Sequence, residues 1–347
     1  MKKPELKIGK RLIGENFKPL IIAEIGINHG GSLEKAFNIA KSAIKSGAEV
    51  IKHQTHIAED EMSLDAKKII PGNSNLNIFD IIKNSSLTEE EEFKLMRYIQ
   101  SKNRIFISTP FSRKAVDRLI KFRIPAFKIG SGECNNYLLV DYIAKQKKPI
   151  ILSTGMNSIK SIKPAVKIIE KYKNSYALLH CTNIYPTPAH LIRLDDLQIL
   201  RRNFPKAVIG LSDHSSNIYS SLGSIALGAS IVEKHFVDTK KIKGPDISSS
   251  MDEKELKEMI FAAEQIFLSK GSNNKKPVKE ESKTINFAFA SAVATKNLFP
   301  GEKLSLKNFF LKRPGIGHFK IHNYKKLIGK KLKKAVKENT LIKKSDI

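Results

Sequence analysis

Tryptophan is absent from the 347 residues, and only two cysteines, Cys134 and Cys181, are present. Two cysteines exclude a disulfide scaffold and a cysteine-rich zinc site, so both thiols are expected to be reduced and buried. No apolar run approaches the ~18 residues that a membrane-crossing helix needs. The basic N-terminus lacks a secretion-type core, because its first apolar stretch is short and runs into Glu24. The expectation is a cytoplasmic protein with no membrane partner. Arginine is also scarce, at ten of the 61 basic residues. Nucleic-acid recognition more often shows arginine-rich clusters interleaved with aromatics. The net charge of +27 therefore reads first as a solubilising, lysine-rich surface, with no nucleic-acid partner expected.

Hydrophobic residues make up 41% of the chain, enough for a full-sized core, which excludes global disorder. The length suits two domains, or one barrel of about 250 residues with a small module. Charge is unevenly spread. Residues 270–347 hold 20 Lys+Arg against 5 Asp+Glu, or +15, while the first 269 hold 41 against 29, or +12. That shift predicts a boundary near residue 270.

Eight short apolar runs punctuate residues 1–269, beginning near Pro19, Glu49, Arg104, Ala126, Pro149, Tyr176, Ala207 and Ser230. Short, apolar and rich in β-branched residues, they read as buried parallel strands. Helical patterns lie between them: Leu33 to Gly47, with Gly47 as a C-cap; a start at Thr88 with Glu91 completing a capping box; then Ser158–Tyr172, Asp195–Asn203, Ser220–Gly228 and Asp252–Leu268. Eight strands alternating with helices predict a (β/α)₈ TIM barrel. Residues 57–86 form a long excursion after the second strand, and such excursions usually serve the site. Residues 270–285 read as a polar linker and 286–347 as a small β-rich module with turns at Pro300-Gly301 and Pro314-Gly315. About 60 residues without cysteine are marginal alone, so the module is expected to pack on something.

Functional residues of such a barrel sit at the C-terminal strand ends, and all eight ends here are polar. An enzyme is expected. Lys52 and Lys128, with the hydroxyls of Thr109, Ser131, Ser153 and Ser212, suit a phosphate or a carboxylate; either lysine could instead form a Schiff base. His214 and His235 end adjacent strands, and parity can aim both at the barrel axis. Two imidazoles leave open positions on a divalent metal, although either alone reads as structural. Of the carboxylates Glu24, Glu133 and Glu233, Glu133 follows Gly-Ser-Gly, a backbone that admits close ligand approach, and is the first choice for acid–base work. Glu233 reads as an ion pair with a barrel lysine. Asp246 follows Gly244-Pro245 and suits either polyol binding or a turn cap. His29, His53, His56 and His180 rank below as hydrogen-bonding supports.

Taken in order, Ala23-Glu24-Ile25-Gly26-Ile27-Asn28-His29, Ile51-Lys52-His53-Gln54-Thr55-His56, Ile70-Pro71-Gly72-Asn73, Ser108-Thr109-Pro110-Phe111-Ser112-Arg113, Lys128-Ile129-Gly130-Ser131-Gly132-Glu133-Cys134-Asn135-Asn136, His180-Cys181-Thr182-Asn183-Ile184-Tyr185-Pro186, Gly210-Leu211-Ser212-Asp213-His214, Gly244-Pro245-Asp246 and Lys312-Arg313-Pro314-Gly315 resemble the N-acetylneuraminate (sialic acid) synthase family across nearly the whole chain. The resemblance implies a barrel followed by a type III antifreeze-like (SAF) module, in a homodimer whose modules are swapped over the partner's active site. It implies condensation of phosphoenolpyruvate with N-acetylmannosamine, giving N-acetylneuraminate and phosphate by C–O cleavage. It implies His214 and His235 as ligands of Mn²⁺, or of Mg²⁺ or Co²⁺. Lys52, Thr109, Lys128 and Ser131 would hold the phosphate, and Ser153, Asn183 and Ser212 the carboxylate. Glu133 and Glu24 would be catalytic, with Glu24 also reaching the polyol. Gln54, Asn73, Tyr185, Asp246 and a partner-supplied Arg313 would bind the sugar. Ile247-Ser248-Ser249-Ser250-Met251 departs from the family's usual Ile-Val-Cys-Ser-Met. Alternatives within the family are a 2,4-diacetamido hexose, giving legionaminate- or pseudaminate-type acids, and N-acetylmannosamine 6-phosphate. Outside it stand a lysine Schiff-base aldolase and a nucleic-acid binder using the basic C-terminal region.

Overall fold

The computed structural model describes residues 3–71, 75–242, 244–271 and 274–347. Asn73 lies outside the described residues. The chain packs as two compact units, Met1–Gly271 and Ser272–Ile347.

The first unit opens with an antiparallel hairpin, β1 (Leu6–Ile8) and β2 (Arg11–Ile13). Eight strands follow: β3 (Leu20–Gly26), β4 (Val50–Thr55), β5 (Ile105–Pro110), β6 (Phe127–Ile129), β7 (Ile150–Ser153), β8 (Tyr176–Cys181), β9 (Val208–Asp213) and β10 (Ile231–His235). They close into a barrel in chain order, with β10 pairing β3 and β9 in parallel. The eight apolar runs of the sequence are these strands.

Helix α1 (Leu33–Lys45) follows β3, with Ser46 rather than the expected Gly47 as its C-cap; Gly47 comes next, at a φ of +99° in the left-handed region. After β4 the excursion carries α2 (Ala58–Glu61) and α3 (Ile78–Ser85), packed around Ala58, Phe79 and Ile82. Helix α4 (Glu89–Ser101) starts with the expected Thr88–Glu91 capping box. The outer ring continues with α5 (Arg113–Lys121), α6 (Tyr137–Ala144), α7 (Ile159–Lys171), α8 (Asp196–Asn203), α9 (Tyr219–Ala226) and α10 (Glu253–Ser269). No helix among the described residues is long and apolar enough to cross a membrane.

Period-2 alternation divides the barrel into two cores. Ile21, Ala23, Ile51, Phe106, Phe127, Leu152, Leu178, Ile209 and Val232 face outward and pack under the helices. Leu20, Ile22, Val50, Ile107, Ala126, Ile151, Ala177, Leu179, Val208 and Ile231 face inward and meet Leu6, Ile8 and Ile13 of the hairpin. The hairpin thus plugs the N-terminal mouth. Apolar side chains fill the lower barrel, and the polar inward positions are left at its C-terminal end.

The second unit begins in the segment expected as a polar linker, which carries helix α11 (Ser282–Ala288). Strands β11 (Ser291–Ala294) and β12 (Phe309–Lys312) pair antiparallel over a core of Ala292, Leu298, Leu304, Phe309, Phe319, Leu327, Leu332, Val336 and Ile342. Phe287, Phe289, Phe299, Phe310, Ile316 and Ile321 are exposed, each more than half so.

Candidate active site

The inward positions just above the apolar layer form a cleft of about 140 Å³. Glu24, Lys52, Gln54, Thr109, Lys128, Ser131, Ser153, Asn183, Tyr185, Ser212, His214 and His235 line it. Four others that the sequence reading gave no role, Phe111, Gly130, Gly132 and Cys181, line it too, as does Glu233, which is paired with a barrel lysine as expected. Parity was a usable signal for Cys181, two residues past the inward Leu179, and for Glu233, two past Ile231.

Two ammonium groups organise the floor. Lys52 Nζ lies 2.5 Å from Glu24 Oε2 and donates to Thr109 Oγ1 at 3.0 Å. Lys128 Nζ donates to Ser153 Oγ at 2.8 Å and lies 3.5 Å from Glu233 Oε1. Both lysine side chains are 3% exposed, so their charges are little screened. Burial pushes the Glu24 carboxyl up to about 7, against the pull of Lys52 and with a further push from Glu233. For Glu233, burial is outweighed by Lys128, Lys52 and the Ser212 hydroxyl, which hold it below the usual carboxylate range. Glu233 Oε2 is buried and has no hydrogen-bond partner. Burial lowers the Lys128 ammonium, whereas for Lys52 burial is outweighed by Glu233 and Glu24, which hold it up. Two such lysines with donor hydroxyls around a small cavity suit an anion.

Beside them the backbone approaches closely. Ser131 Oγ accepts from Gly155 N at 3.0 Å, and a Cβ on Gly155 would meet Asn183 Oδ1 at 1.9 Å. Gly26, at φ +46°, would place a Cβ 3.1 Å from Glu24 Oε1 and 3.4 Å from His235 Cε1.

His214 and His235 face each other, with ring centroids 5.6 Å apart. The His214 Nδ1–H donates to the Thr182 carbonyl at 3.0 Å, which leaves Nε2 with its lone pair, 3.1 Å from the Tyr185 hydroxyl. Burial is the main cause that lowers both imidazoles, His214 to about 4 and His235 to about 3, so both are neutral and able to ligate near neutral pH. His235 Nδ1 is buried without a hydrogen-bond partner, 3.6 Å from Asp246 Oδ2. Two neutral imidazoles, one with an orphaned nitrogen, fit a divalent ion held at a site with open positions. Among the described residues no group of three His, Cys, Asp or Glu side chains gathers at one metal-sized point.

Glu133 does not line the cleft. It lies beyond the end of β6, where a turn from Gly130 O to Glu133 N at 3.1 Å carries it out to accept from Asn136 Nδ2 at 2.7 Å. The carboxylates in the cleft are Glu24 and Glu233. Arg313 belongs to the second unit, where its guanidinium sits 5.6 Å from the centre of the Phe287 ring. His53 and His180 point outward. His53 Nδ1 meets Glu92 Oε1 at 3.0 Å and its Nε2 meets His29 at 3.2 Å, while His180 reaches the Ile192 carbonyl at 2.6 Å. His56 does support the site, because its Nε2 donates to Gln54 Oε1 at 3.0 Å and Gln54 Nε2 donates to Glu24 at 2.9 Å. In the divergent loop, Ser250 Oγ donates to the Asp246 carbonyl at 2.8 Å, while the Ser249 hydroxyl is buried without a partner. A larger groove of about 690 Å³ runs between the loops after β8 and β9, but no strand-end lysine or carboxylate lines it.

Residues 39–275 match the model of the NeuB family, and residues 289–347 that of the SAF domain. The chain is 39% identical over 314 residues to an uncharacterized protein of Methanocaldococcus jannaschii, covering 90% of each. It is 36% identical over 332 residues to the N,N'-diacetyllegionaminic acid synthase of Campylobacter jejuni, covering 94% of this chain and 99% of that protein. Among solved structures it is similar to N-acetylneuraminic acid (sialic acid) synthetase from Leptospira borgpetersenii in complex with citrate, with 30% identity and a TM-score of 0.75 over 82% of this chain and 95% of that one.

Proposed function

The chain belongs to the NeuB family, and on that premise we propose that it is a phosphoenolpyruvate-dependent nonulosonate synthase. The observation that carries the reading is the anion cleft itself: Lys52 and Lys128 with their hydroxyl partners, directly beside the neutral pair His214 and His235. Carbon three of phosphoenolpyruvate forms a bond to the aldehyde carbon of an open-chain amino hexose, whose oxygen takes a proton. Water adds to carbon two and loses a proton. The bond from carbon two to the phosphate oxygen then breaks, leaving a ketone and releasing phosphate.

In this reading Lys52, Thr109, Lys128 and Ser131 hold the phosphate, and Ser153, Asn183 and Ser212 hold the carboxylate. Glu24, inside the cleft and braced by Gln54, handles the proton on the sugar oxygen or the water. That role passes to it from Glu133. Gln54, Tyr185 and Asp246 bind the polyol. His214 and His235 would hold a divalent ion such as Mn²⁺, which when bound supplies Lewis-acid polarisation of the aldehyde. Arg313 binds the N-acetyl group from the partner chain of a swapped homodimer. The exposed phenylalanines of the second unit support that assembly, since each would bury apolar surface against a partner.

For the acceptor, the motif resemblance favours N-acetylmannosamine. The relative matching 94% of this chain at 36% identity makes a diacetylated product, which favours a 2,4-diacetamido hexose. We place the 2,4-diacetamido hexose first and N-acetylmannosamine second. The test is phosphate release from phosphoenolpyruvate with Mn²⁺ and each of these sugars or N-acetylmannosamine 6-phosphate, with products identified by mass. Release with the diacetamido sugar alone supports the first reading, and release with N-acetylmannosamine alone supports the second. Release that survives thorough EDTA treatment overturns the metal role, and trapping by borohydride would favour a Schiff base instead.

A further inference from the structure

Asp213 and Lys234 stand on the outer face of the barrel, each next in sequence to one of the inward histidines. Neither lines the cleft. They are register partners on β9 and β10, their side chains are each 1% exposed, and Lys234 Nζ lies 3.3 Å from Asp213 Oδ2. The pair reaches around His214. Asp213 Oδ1 accepts from Ser215 N at 2.9 Å, and Lys234 Nζ donates to the Ser215 carbonyl at 2.5 Å. Ser220 and Ser221, in the first turn of α9, donate to Asp213 Oδ2 at 2.9 and 2.6 Å. One ion pair therefore ties together both strand ends, the residue after His214 and the start of a helix.

A buried ion pair is a weak source of stability, because desolvation offsets the attraction. What it fixes well is geometry. The two histidines differ in how much they need that. The His214 ring has its own anchor at the Thr182 carbonyl. The His235 ring has no hydrogen bond on Nδ1 and packs against Tyr185 and His214, so its aim leans more heavily on the backbone of β10. That backbone is held by Lys234 on one side and by the bond from Met251 N to the His235 carbonyl, at 2.7 Å, on the other.

We propose that the Asp213–Lys234 pair is a positioning device that sets the separation and aim of His214 and His235, and through them the affinity for the divalent ion. The proposal rests on the reading of these histidines as the metal donors. Pinning donor side chains before the ion arrives removes an ordering cost from binding, which is how groups behind the ligands tune a metal site.

The test measures Mn²⁺ binding to the metal-free full-length protein by titration calorimetry, with no substrate present. Asp213→Asn and Lys234→Met are expected to raise the Mn²⁺ dissociation constant about 10- to 100-fold, while phosphoenolpyruvate binding without metal changes less than about threefold. Lys234→Arg, which keeps the charge and a donor, is expected to restore most of the affinity. Glu92→Gln breaks a buried charge cluster between α4, α5 and the outer face of β4, a strand that β3 separates from β10. It is expected to lower the melting temperature and leave Mn²⁺ affinity alone. Folded Asp213→Asn and Lys234→Met proteins with wild-type Mn²⁺ affinity would overturn the proposal, as would an equal loss in Glu92→Gln. If those charge variants do not fold, Ser221→Ala serves, since it removes one hydrogen bond and leaves the ions paired. A several-fold loss of affinity then supports the proposal, and none overturns it. His214→Ala and His235→Ala are measured alongside. If they bind Mn²⁺ like the wild type, the metal reading falls first and the positioning role with it.

Discussion

Gly155 has no room for a side chain. Its Cβ would sit 1.9 Å from Asn183 Oδ1 and 2.9 Å from Ser131 Oγ, both in the proposed substrate cleft. Overpacking of this kind costs about 1–3 kcal/mol, and here the atoms that must yield are the ones that hold the ligand. Gly155→Ala is expected to raise KM for phosphoenolpyruvate at least about tenfold with a smaller change in kcat, as steady-state phosphate release would show. An unchanged KM would remove Ser131 and Asn183 from substrate binding. Glu92 answers to pH instead. Burial pushes its carboxyl up, but hydrogen bonds from His53 and Thr55 and the Arg118 charge outweigh that and hold it below the ordinary 4.5. A lowered folded pKa favours the ionised form, so its stabilisation is present above pH 4.5 and is lost as pH falls through the folded value. The melting-temperature advantage of wild type over Glu92→Gln is therefore expected to shrink on acidification below pH 4.5, and a constant difference would refute this account. At this scale parity made the site legible. His214, His235, Lys52 and Lys128 lie within or one step beyond a strand, where alternation fixes direction. Glu133 lies four residues past β6, where a turn fixes direction and parity gives none.

The same division holds for whole elements. The barrel strands were legible because parallel strands buried on both faces must be short, apolar and β-branched. Helices α5 and α6 were not separately expected. Helix α6, Tyr-Leu-Leu-Val-Asp-Tyr-Ile-Ala, is apolar around most of its circumference and gives little amphipathic contrast. The N-terminal hairpin was also missed, since its strands are three residues each and Leu6 and Ile8 alone make a faint alternation. Yet Ile8 is fully buried in the lower barrel core among Ile22, Val50 and Ile107. Ile8→Ala is expected to cost about 2–5 kcal/mol, read as a lower denaturation midpoint. The cleft lies at the opposite mouth of the barrel, so kcat and KM of the folded fraction should stay near wild type. A large change in KM would mean that the plug also sets the geometry of the upper barrel.

At the scale of the whole molecule, the resemblance carried by the sequence implies a swapped dimer. The second unit has its own small core and leaves Phe287, Phe289, Phe299 and Phe310 exposed. Arg313, next to that surface in sequence, is the residue proposed to cross to the partner's cleft. Swapping makes a sharp kinetic prediction, because each active site then draws its floor from one chain and its Arg313 from the other. Lys52→Met removes the floor, and Arg313→Ala removes the crossing residue. Each variant alone is expected to be nearly inactive. Unfolded together and refolded as an equimolar mixture, they form symmetric homodimers and, in half of the pairs, heterodimers. In a swapped heterodimer one site carries both lesions and the other carries neither. About a quarter of all sites are then intact, and activity should recover toward that fraction of wild type. If Arg313 acts on its own barrel, every site in every pairing keeps one lesion and mixing restores nothing. Size-exclusion chromatography with light scattering on the same mixtures separates that outcome from a failure to dimerise. An active monomer would dispose of the swapped arrangement while leaving the chemistry of the barrel untouched.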